Sequence, residues 1–369
     1  MTDSTWDAIV VGAGPAGSAA AFALASAGRR TLVLERRTSV DFKFGELLPP
    51  HTAPLVKRFG LDLSGLIELH ARARGVVSVW GDAEVREQDF LFNPYGDGVR
   101  LDRPRFDAAL RERAIEVGAT VVTGARVVDV SPSRDGGVEP ELVAVAVEVD
   151  GLVQLVSAAH VIDCSGRSAV LARMLGSPRI DFDPLFASAR RFVGPTASVD
   201  RDPFLRIESV PDGWLYTLVV PSGERMVVFH TDHDLDADLD SALAQSVMVG
   251  PILDERGFVP VGRVRASPAG GAWRTPLIAR GVLAAGDAVL AFDPLASRGI
   301  FGALTTGFGA ADAVVATADG DDGAIDRYIA DVEATTTEYR SGHRRMYASE
   351  QRFSDRPFWA RRLTDASAH

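Results

Sequence analysis

Cysteine is all but missing: Cys164 stands alone in 369 residues. A single thiol excludes an intramolecular disulfide framework and any metal site built from several cysteines. Histidine is sparse, seven in all, and no two are spaced His-x-x-x-His, so a histidine metal site has no support. Lysine is scarcer still: of 39 Lys and Arg residues only Lys43 and Lys57 are lysines. No uninterrupted apolar run reaches the roughly 20 residues that cross a bilayer, so no membrane span is expected. Residues 1–30 hold no basic segment ahead of an apolar stretch and no cleavage-site pattern, which makes a cytoplasmic location the expectation. A formal net charge of −11 argues against nucleic acid or an anionic membrane as the main partner.

What is present is an ordinary globular composition, 46% hydrophobic and 24% charged. The length suits two interleaved domains better than one core. Residues 7–11 form a short apolar run, 12–17 are glycine-rich, and 18–27 alternate small and apolar residues at helical spacing. Gly28 closes that helix, and a second apolar run, 31–34, ends in Glu35, which makes a βαβ unit and a parallel sheet. A helix is predicted over 101–116, with Phe106, Leu110, Ala114 and Val117 on one face, and a strand over 120–130. Two β-rich runs, 142–149 and 152–156, flank Asp150-Gly151, a hairpin dipeptide, and predict an antiparallel ribbon inserted among parallel strands. Residues 199–268 are again rich in strand signals, with 214–220 and 225–231 on either side of Pro221-Ser222-Gly223. The parallel pattern returns at 282–285, a small-residue helix follows over 299–318, and 324–352 reads as one charged helix.

The glycine-rich turn carries a specific chemistry. Gly12 answers a tight turn, Gly14 a close approach of pyrophosphate, and Gly17 close packing of helix on strand; Pro15 and Ala16 open the helix whose N–H groups face the phosphates. Glu35, at the end of the second strand, can accept both ribose hydroxyl protons. These residues imply the adenine half of a dinucleotide without choosing between NAD and FAD.

Later segments resemble a known family. Gly281-Val282-Leu283-Ala284-Ala285-Gly286-Asp287, followed by Asp293-Pro294-Leu295-Ala296-Ser297-Arg298-Gly299-Ile300, resembles the flavin-binding motif of the proteins related to p-hydroxybenzoate hydroxylase. The resemblance implies FAD, with Gly286 and Asp287 at the ribityl chain and Pro294, Gly299 and Ile300 bringing backbone amides to the pyrimidine edge. Arg103, in Leu101-Asp102-Arg103, matches the family's cofactor arginine, and Arg36 and Val127 complete the implied cofactor set. Asp163 and Gly166 stand where many members carry an Asp-Gly motif, with two inserted residues as in flavin-dependent halogenases and geranylgeranyl reductases. Arg298 departs from the small or polar residue expected beside Gly299; its guanidinium either reaches the flavin face or points outward to a surface acid.

The segment Phe44-Gly45-Glu46-Leu47-Leu48-Pro49-Pro50 resembles the Gly-Glu loop of the halogenase and reductase branch, which makes Glu46 and His51 catalytic candidates by location. With Asp212-Gly213-Trp214-Leu215-Tyr216 and the tail Glu350-Gln351-Arg352-Phe353, the chain looks like the flavoproteins that mature quinone-cofactor amino-acid oxidases. That likeness implies an aromatic substrate, a tryptophan side chain in a peptide, partner protein or carrier, with Trp214 and Tyr216 as substrate contacts. No second glycine fingerprint follows, so an external reductant or flavin reductase is implied.

The expected fold class is α/β: a Rossmann-like FAD-binding domain of the glutathione-reductase type (1–75, 101–175 and 275–320), interwoven with an antiparallel substrate sheet (76–100 and 176–274), and a C-terminal helical segment (321–369). The expected function is an FAD-dependent monooxygenase or oxidase, with a halogenase or isoprenoid reductase as enzymatic alternatives and a flavin-binding maturation chaperone as the non-enzymatic one. Tryptophan halogenases use a lysine to capture the oxidised halide. Here residues 69–74 offer only arginines, which cannot replace it, so halogenation is not expected.

Overall fold

The computed structural model describes residues 5–39, 43, 45–131, 142–195 and 201–364. Phe44 of the Gly-Glu loop lies outside them. The strand Thr5–Val11 is apolar and buried along its last four residues because it runs through the middle of an eight-stranded sheet, between Leu152–Asp163 and Thr31–Glu35 and parallel to both. Thr120–Thr123 continues the sheet on one side and Val282–Ala284 on the other. The helix Pro15–Ser26 leaves the glycine turn and lies against the late helix Gly299–Ala318. Small residues let the two approach: a Cβ on Gly307 would stand 2.3 Å from the carbonyl oxygen of Ala16. Gly299–Ala318 is, among the described residues, the one helix long and apolar enough to cross a membrane, and 56% of its most apolar 18-residue stretch is buried inside this fold.

In the first sheet and at the C-terminal end the structure alters three sequence expectations. The strand predicted over 120–130 breaks at Gly124, whose φ of 72° is left-handed, into Thr120–Thr123 and Arg126–Ser131. The hairpin at Asp150 (φ 51°) and Gly151 (φ 78°) forms, but its second strand runs from Leu152 to Asp163 and becomes the parallel neighbour of Thr5–Val11. The ribbon is therefore an outgrowth of the central sheet rather than an insertion. The charged helix ends at Ala348, after which Glu350 is buried and a short helix, Pro357–Thr364, closes the chain.

A second sheet has seven strands, ordered Val259–Pro268, Leu185–Val193, Arg225–Asp232, Gly213–Val219, Phe204–Val210, Gly75–Val79 and Val85–Asp89. It is mixed rather than wholly antiparallel, because Gly75–Val79 enters from an earlier part of the chain and pairs in parallel with Phe204–Val210. Its two central strands, Gly213–Val219 and Arg225–Asp232, are buried at every position. Part of their cover is an aromatic cluster of Trp80, Trp214, Tyr347, Phe358 and Trp359 that ties the C-terminal helices to the sheet. Gly98–Arg100 stands apart in a small sheet with Leu47–Leu48 and Ala71–Ala73, so it travels with the Gly-Glu loop. The architecture is a Rossmann-like domain interwoven with a mixed-sheet domain and C-terminal helices.

Candidate active site

The three fingerprint glycines divide by what surrounds them. A Cβ on Gly17 would stand 1.8 Å from the carbonyl oxygen of Gly12, and one on Gly12 would stand 2.5 Å from that of Cys164. Those two glycines are filled by protein. Before Gly14 there is open space, bounded only by Lys43 Nζ at 3.9 Å from the same ideal atom. The space lies at the N-terminus of Pro15–Ser26, where backbone donors and the helix dipole favour an anion. Glu35 is held in place by two amides, its Oε2 accepting from Ala13 N–H at 2.7 Å and its Oε1 from Arg37 N–H at 2.8 Å. Lys43 donates to Asp107 at 2.6 Å, and Arg103, 9% exposed, flanks the same carboxylate and reaches the Gly45 carbonyl at 3.2 Å. Two cations on one buried aspartate leave positive charge facing the opening. Lys43 was not among the sequence candidates, since nothing local marks a loop lysine as the partner of a helix aspartate.

The second half of the cradle comes from the late motif. Gly286 donates its N–H to Thr306 Oγ1 at 2.7 Å, which pins the turn to the helix behind it. Asp287 stands beyond, with Arg167 Nε 3.7 Å away. Desolvation lifts its carboxyl above the ordinary range, against the pull of Arg167 and Arg103. Arg167 is itself clamped by the carbonyls of Gly270, Ala269 and Phe292 at 2.6–3.1 Å. A Cβ on Gly299 or on Gly166 would meet nothing within 4 Å, so the start of Gly299–Ala318 faces free space as Gly14 does. Pro294 sits in the short turn before it, and Ile300 is buried. Open space before two glycine backbones at helix N-termini, with cations beside the first and an acid on the turn pinned to the second helix, fits a dinucleotide with a polar, hydroxylated middle.

Between this cradle and the second sheet lies a cavity of about 460 Å3, bounded by Pro50, His51, Val76, Phe90, Phe92 and Ser297 among others. Ser297 holds φ at 48°, a left-handed conformation costly for a non-glycine residue and typical of functional turns. His51 is exposed at the rim and edges against Phe301 with ring centroids 5.0 Å apart; desolvation, then the charge of Arg298, lowers its pKa. Glu46 points inward, 4% exposed, accepting from Tyr216 OH at 3.0 Å while its Oε1 has no hydrogen-bond partner.

Burial outweighs hydrogen bonding and the charge of Arg103 and raises the Glu46 carboxyl above its usual value. The folded protein therefore favours the protonated acid. The cost of ionising it is absent at low pH and grows as pH rises through the raised value. Glu46→Gln should accordingly unfold at a higher temperature than wild type at neutral pH, by roughly 2–4 °C. The difference should vanish in acid. Thermal unfolding of flavin-free protein across pH reads both, and a stabilisation that persisted in acid would count against the buried ionisation.

The remaining candidates scatter. Trp214 is 1% exposed, stacked on His230 at 3.7 Å between centroids and donating to Tyr347 OH at 2.9 Å, so it faces the core rather than the cavity. Burial pushes the His230 imidazole down to about 3. Tyr216 reaches the site only through Glu46. Asp163 is fully buried and caps the short helix after it, accepting from Leu171 and Ala172 N–H, while Gly166 forms the turn between. Arg298 donates to Glu338 at 2.9 Å, outward, the second of the two orientations open to it. Arg36 is exposed just past the second strand, and Val127 is packed in the core beside it. Asp293 Oδ2 accepts from Tyr347 OH at 2.8 Å and lies 3.0 Å from His343 Nε2; Asp183 Oδ2 is 3.5 Å from the same nitrogen. Desolvation and the neighbouring Asp293 push Asp183 up to about 6. These three groups come from distant parts of the chain, which is why no spacing pattern announces them.

Comparison with known proteins completes the picture. The family model described as tryptophan halogenase matches residues 83–368, and one for an NAD(P)-binding Rossmann-like domain matches residues 10–40. The Marinomonas mediterranea protein LodB, named an FAD-dependent oxidoreductase, is 28% identical, covering 97% of each chain. Among solved structures, the myxobacterial chondrochloren halogenase CndH superposes with a TM-score of 0.85 at 22% identity, over 99% of this chain and 88% of its own. The peptidyl tryptophan dihydroxylase QhpG does so with a TM-score of 0.74 at 24% identity, over 97% and 79%. At these identities both structural likenesses speak for the fold alone.

Proposed function

This chain belongs to the tryptophan halogenase family, and from that premise we propose that it modifies an aromatic ring of the tryptophan type carried on a peptide, a protein or a carrier. The protein is an FAD-dependent oxidoreductase. Gly14, Lys43 and Arg103 would hold the pyrophosphate, Glu35 the adenosine ribose, Asp287 the ribityl chain, and the N–H groups of Gly299 and Ile300 the pyrimidine edge. When bound, FAD supplies electron exchange between an external reductant, such as a flavin reductase, and oxygen. The chain's own contribution is placement. The cavity walls, Pro50, Val76 and Phe90 among them, would hold the ring beside the Ser297 turn. Glu46 can keep a proton at its unpartnered Oε1, buried behind the Gly-Glu loop.

The observation that carries the substrate reading is the form of the cavity. Aromatic and proline residues line it together with the polar Gln88, Asp89, Asn93 and Ser297, and it opens past Phe92, which is 93% exposed, and Leu91, 64% exposed. Such an opening suits a ring on a larger body; an isoprenoid chain calls for an enclosed apolar tunnel. Two chemistries remain. The family favours halogen transfer over the oxygen insertion expected from sequence. Oxygen insertion keeps support from the lysines: Lys43 is engaged by Asp107 and Lys57 is exposed on a separate helix.

The experiment is to incubate the protein with FAD, NADH, a flavin reductase, oxygen and a tryptophan-containing peptide, with and without chloride or bromide, and to weigh the product. A halogen isotope pattern that requires the salt supports halogen transfer, and a gain of oxygen without it supports insertion. Unchanged peptide, carrier-bound pyrrole and free indole under both conditions would withdraw the aromatic reading.

A further inference from the structure

The seven-stranded sheet ends at Val85–Asp89, which pairs only with Gly75–Val79 among the described residues. The register shows which backbone groups that edge offers. Phe90 N–H donates to the Arg74 carbonyl at 2.6 Å, and Gln88 and Arg86 lie opposite Val76 and Ser78 in the same alternation. In an antiparallel pair the intervening residues turn their N–H and C=O groups away from the partner. Val85, Glu87 and Asp89 therefore present donors and acceptors to the open side of the strand.

This edge leads into the cavity: Gln88, Asp89, Phe90 and Phe92 line it together with Val76, the cross-strand partner of Gln88. A chain added along Val85–Asp89 would lie one strand spacing, about 4.8 Å, from Gln88, and every second side chain would fall on the cavity's face. Charge selects the occupant. Asp82, Glu84, Glu87 and Asp89 outnumber the two cations at this edge, Arg86, which pairs with Asp82 and lies 3.9 Å from Glu84, and Arg74, 3.5 Å from Asp89. An acidic edge repels a second copy of itself, as charged edge strands commonly do, and attracts a basic segment. The opposite edge of the sheet, Val259–Pro268, carries Arg263 and Arg265 and does not line this cavity.

We infer that Val85–Asp89 is a strand-addition site for an extended, basic segment of the substrate polypeptide, which seats one aromatic side chain in the adjoining cavity. The inference rests on the aromatic, peptide-borne substrate proposed above. Main-chain bonds would supply affinity without demanding a sequence, and the cavity would supply selection of the ring.

The test uses the FAD-loaded full chain and two synthetic peptides with a central tryptophan, flanked by lysines in one and by glutamates in the other. Expected are tighter binding of the lysine peptide and slowed amide exchange at Glu87 and Asp89. Methylating the backbone nitrogens that would face the edge should weaken binding about tenfold, the cost of losing one or two hydrogen bonds. Glu84→Lys with Glu87→Lys should reverse the preference between the peptides. Protection elsewhere, or indifference to methylation, overturns the site. Modification of free indole with no binding of either peptide also overturns it, while leaving the aromatic chemistry in place. Protection of Glu87 and Asp89 without modification of any aromatic supports the docking site and removes the proposed chemistry.

Discussion

Replacing Gly14 with valine should leave the protein folded and colourless. A Cβ at Gly14 meets no atom closer than Lys43 Nζ at 3.9 Å, so the chain leaves room where the new side chain begins. What it fills is the space before the first helix, where the pyrophosphate must approach the backbone. We expect FAD affinity to fall at least about 100-fold, which is about 2.8 kcal/mol. Flavin absorbance per mole of protein after gel filtration measures it, with far-ultraviolet circular dichroism as the check on folding. Gly17→Ala provides the contrast. Its methyl group would lie 1.8 Å from the Gly12 carbonyl oxygen and 3.3 Å from Cys164 Cβ, so the helix must leave the sheet and soluble protein should be lost. Full flavin content in Gly14→Val would remove the pyrophosphate from this turn.

Asp163→Ala should cost more stability than any other single change at a candidate site, about 3–5 kcal/mol. The carboxylate is fully buried and receives Ser165 N–H at 3.0 Å, Ser165 Oγ at 2.5 Å, Leu171 N–H at 2.8 Å and Ala172 N–H at 3.2 Å. Truncation leaves the backbone donors buried without partners, each worth about 1–3 kcal/mol. Urea unfolding should be followed on flavin-free protein, because a bound cofactor adds stability of its own. Asp163→Asn retains an acceptor oxygen and should fall between. A direct cofactor role predicts the reverse order: lost FAD with unfolding unchanged. Should the flavin-free alanine variant unfold at the wild-type urea concentration, the capping role is wrong.

The parts of this protein legible in its sequence are those whose cause is local. The strand, glycine turn and helix of residues 5–26 follow from sterics within a few residues, and so does the Asp150-Gly151 hairpin. The helix Gly299–Ala318 was readable end to end from its small-residue pattern and the turn before it. Where a local reading failed, a long-range pairing prevailed: Leu152–Asp163 outruns its hairpin because its last residues find Thr5–Val11.

Side-chain direction was decided by tertiary structure. Glu46 belongs to a loop in sequence, yet Tyr216 from a distant strand and Leu101 N–H, 2.6 Å from its carbonyl, bring it into the interior. Lys43 is held beside the opening before Gly14 only because Asp107 waits on a helix, and Arg298 turns outward because Glu338 stands on another. Trp214 reads as a substrate contact beside Tyr216, but pairing with the neighbouring strand and the C-terminal helices place it against His230 and Tyr347, in the core. Backbone conformation is set by neighbours in the chain. The partner of a long polar or aromatic side chain is set by which elements pack together, and that no spacing along the chain encodes.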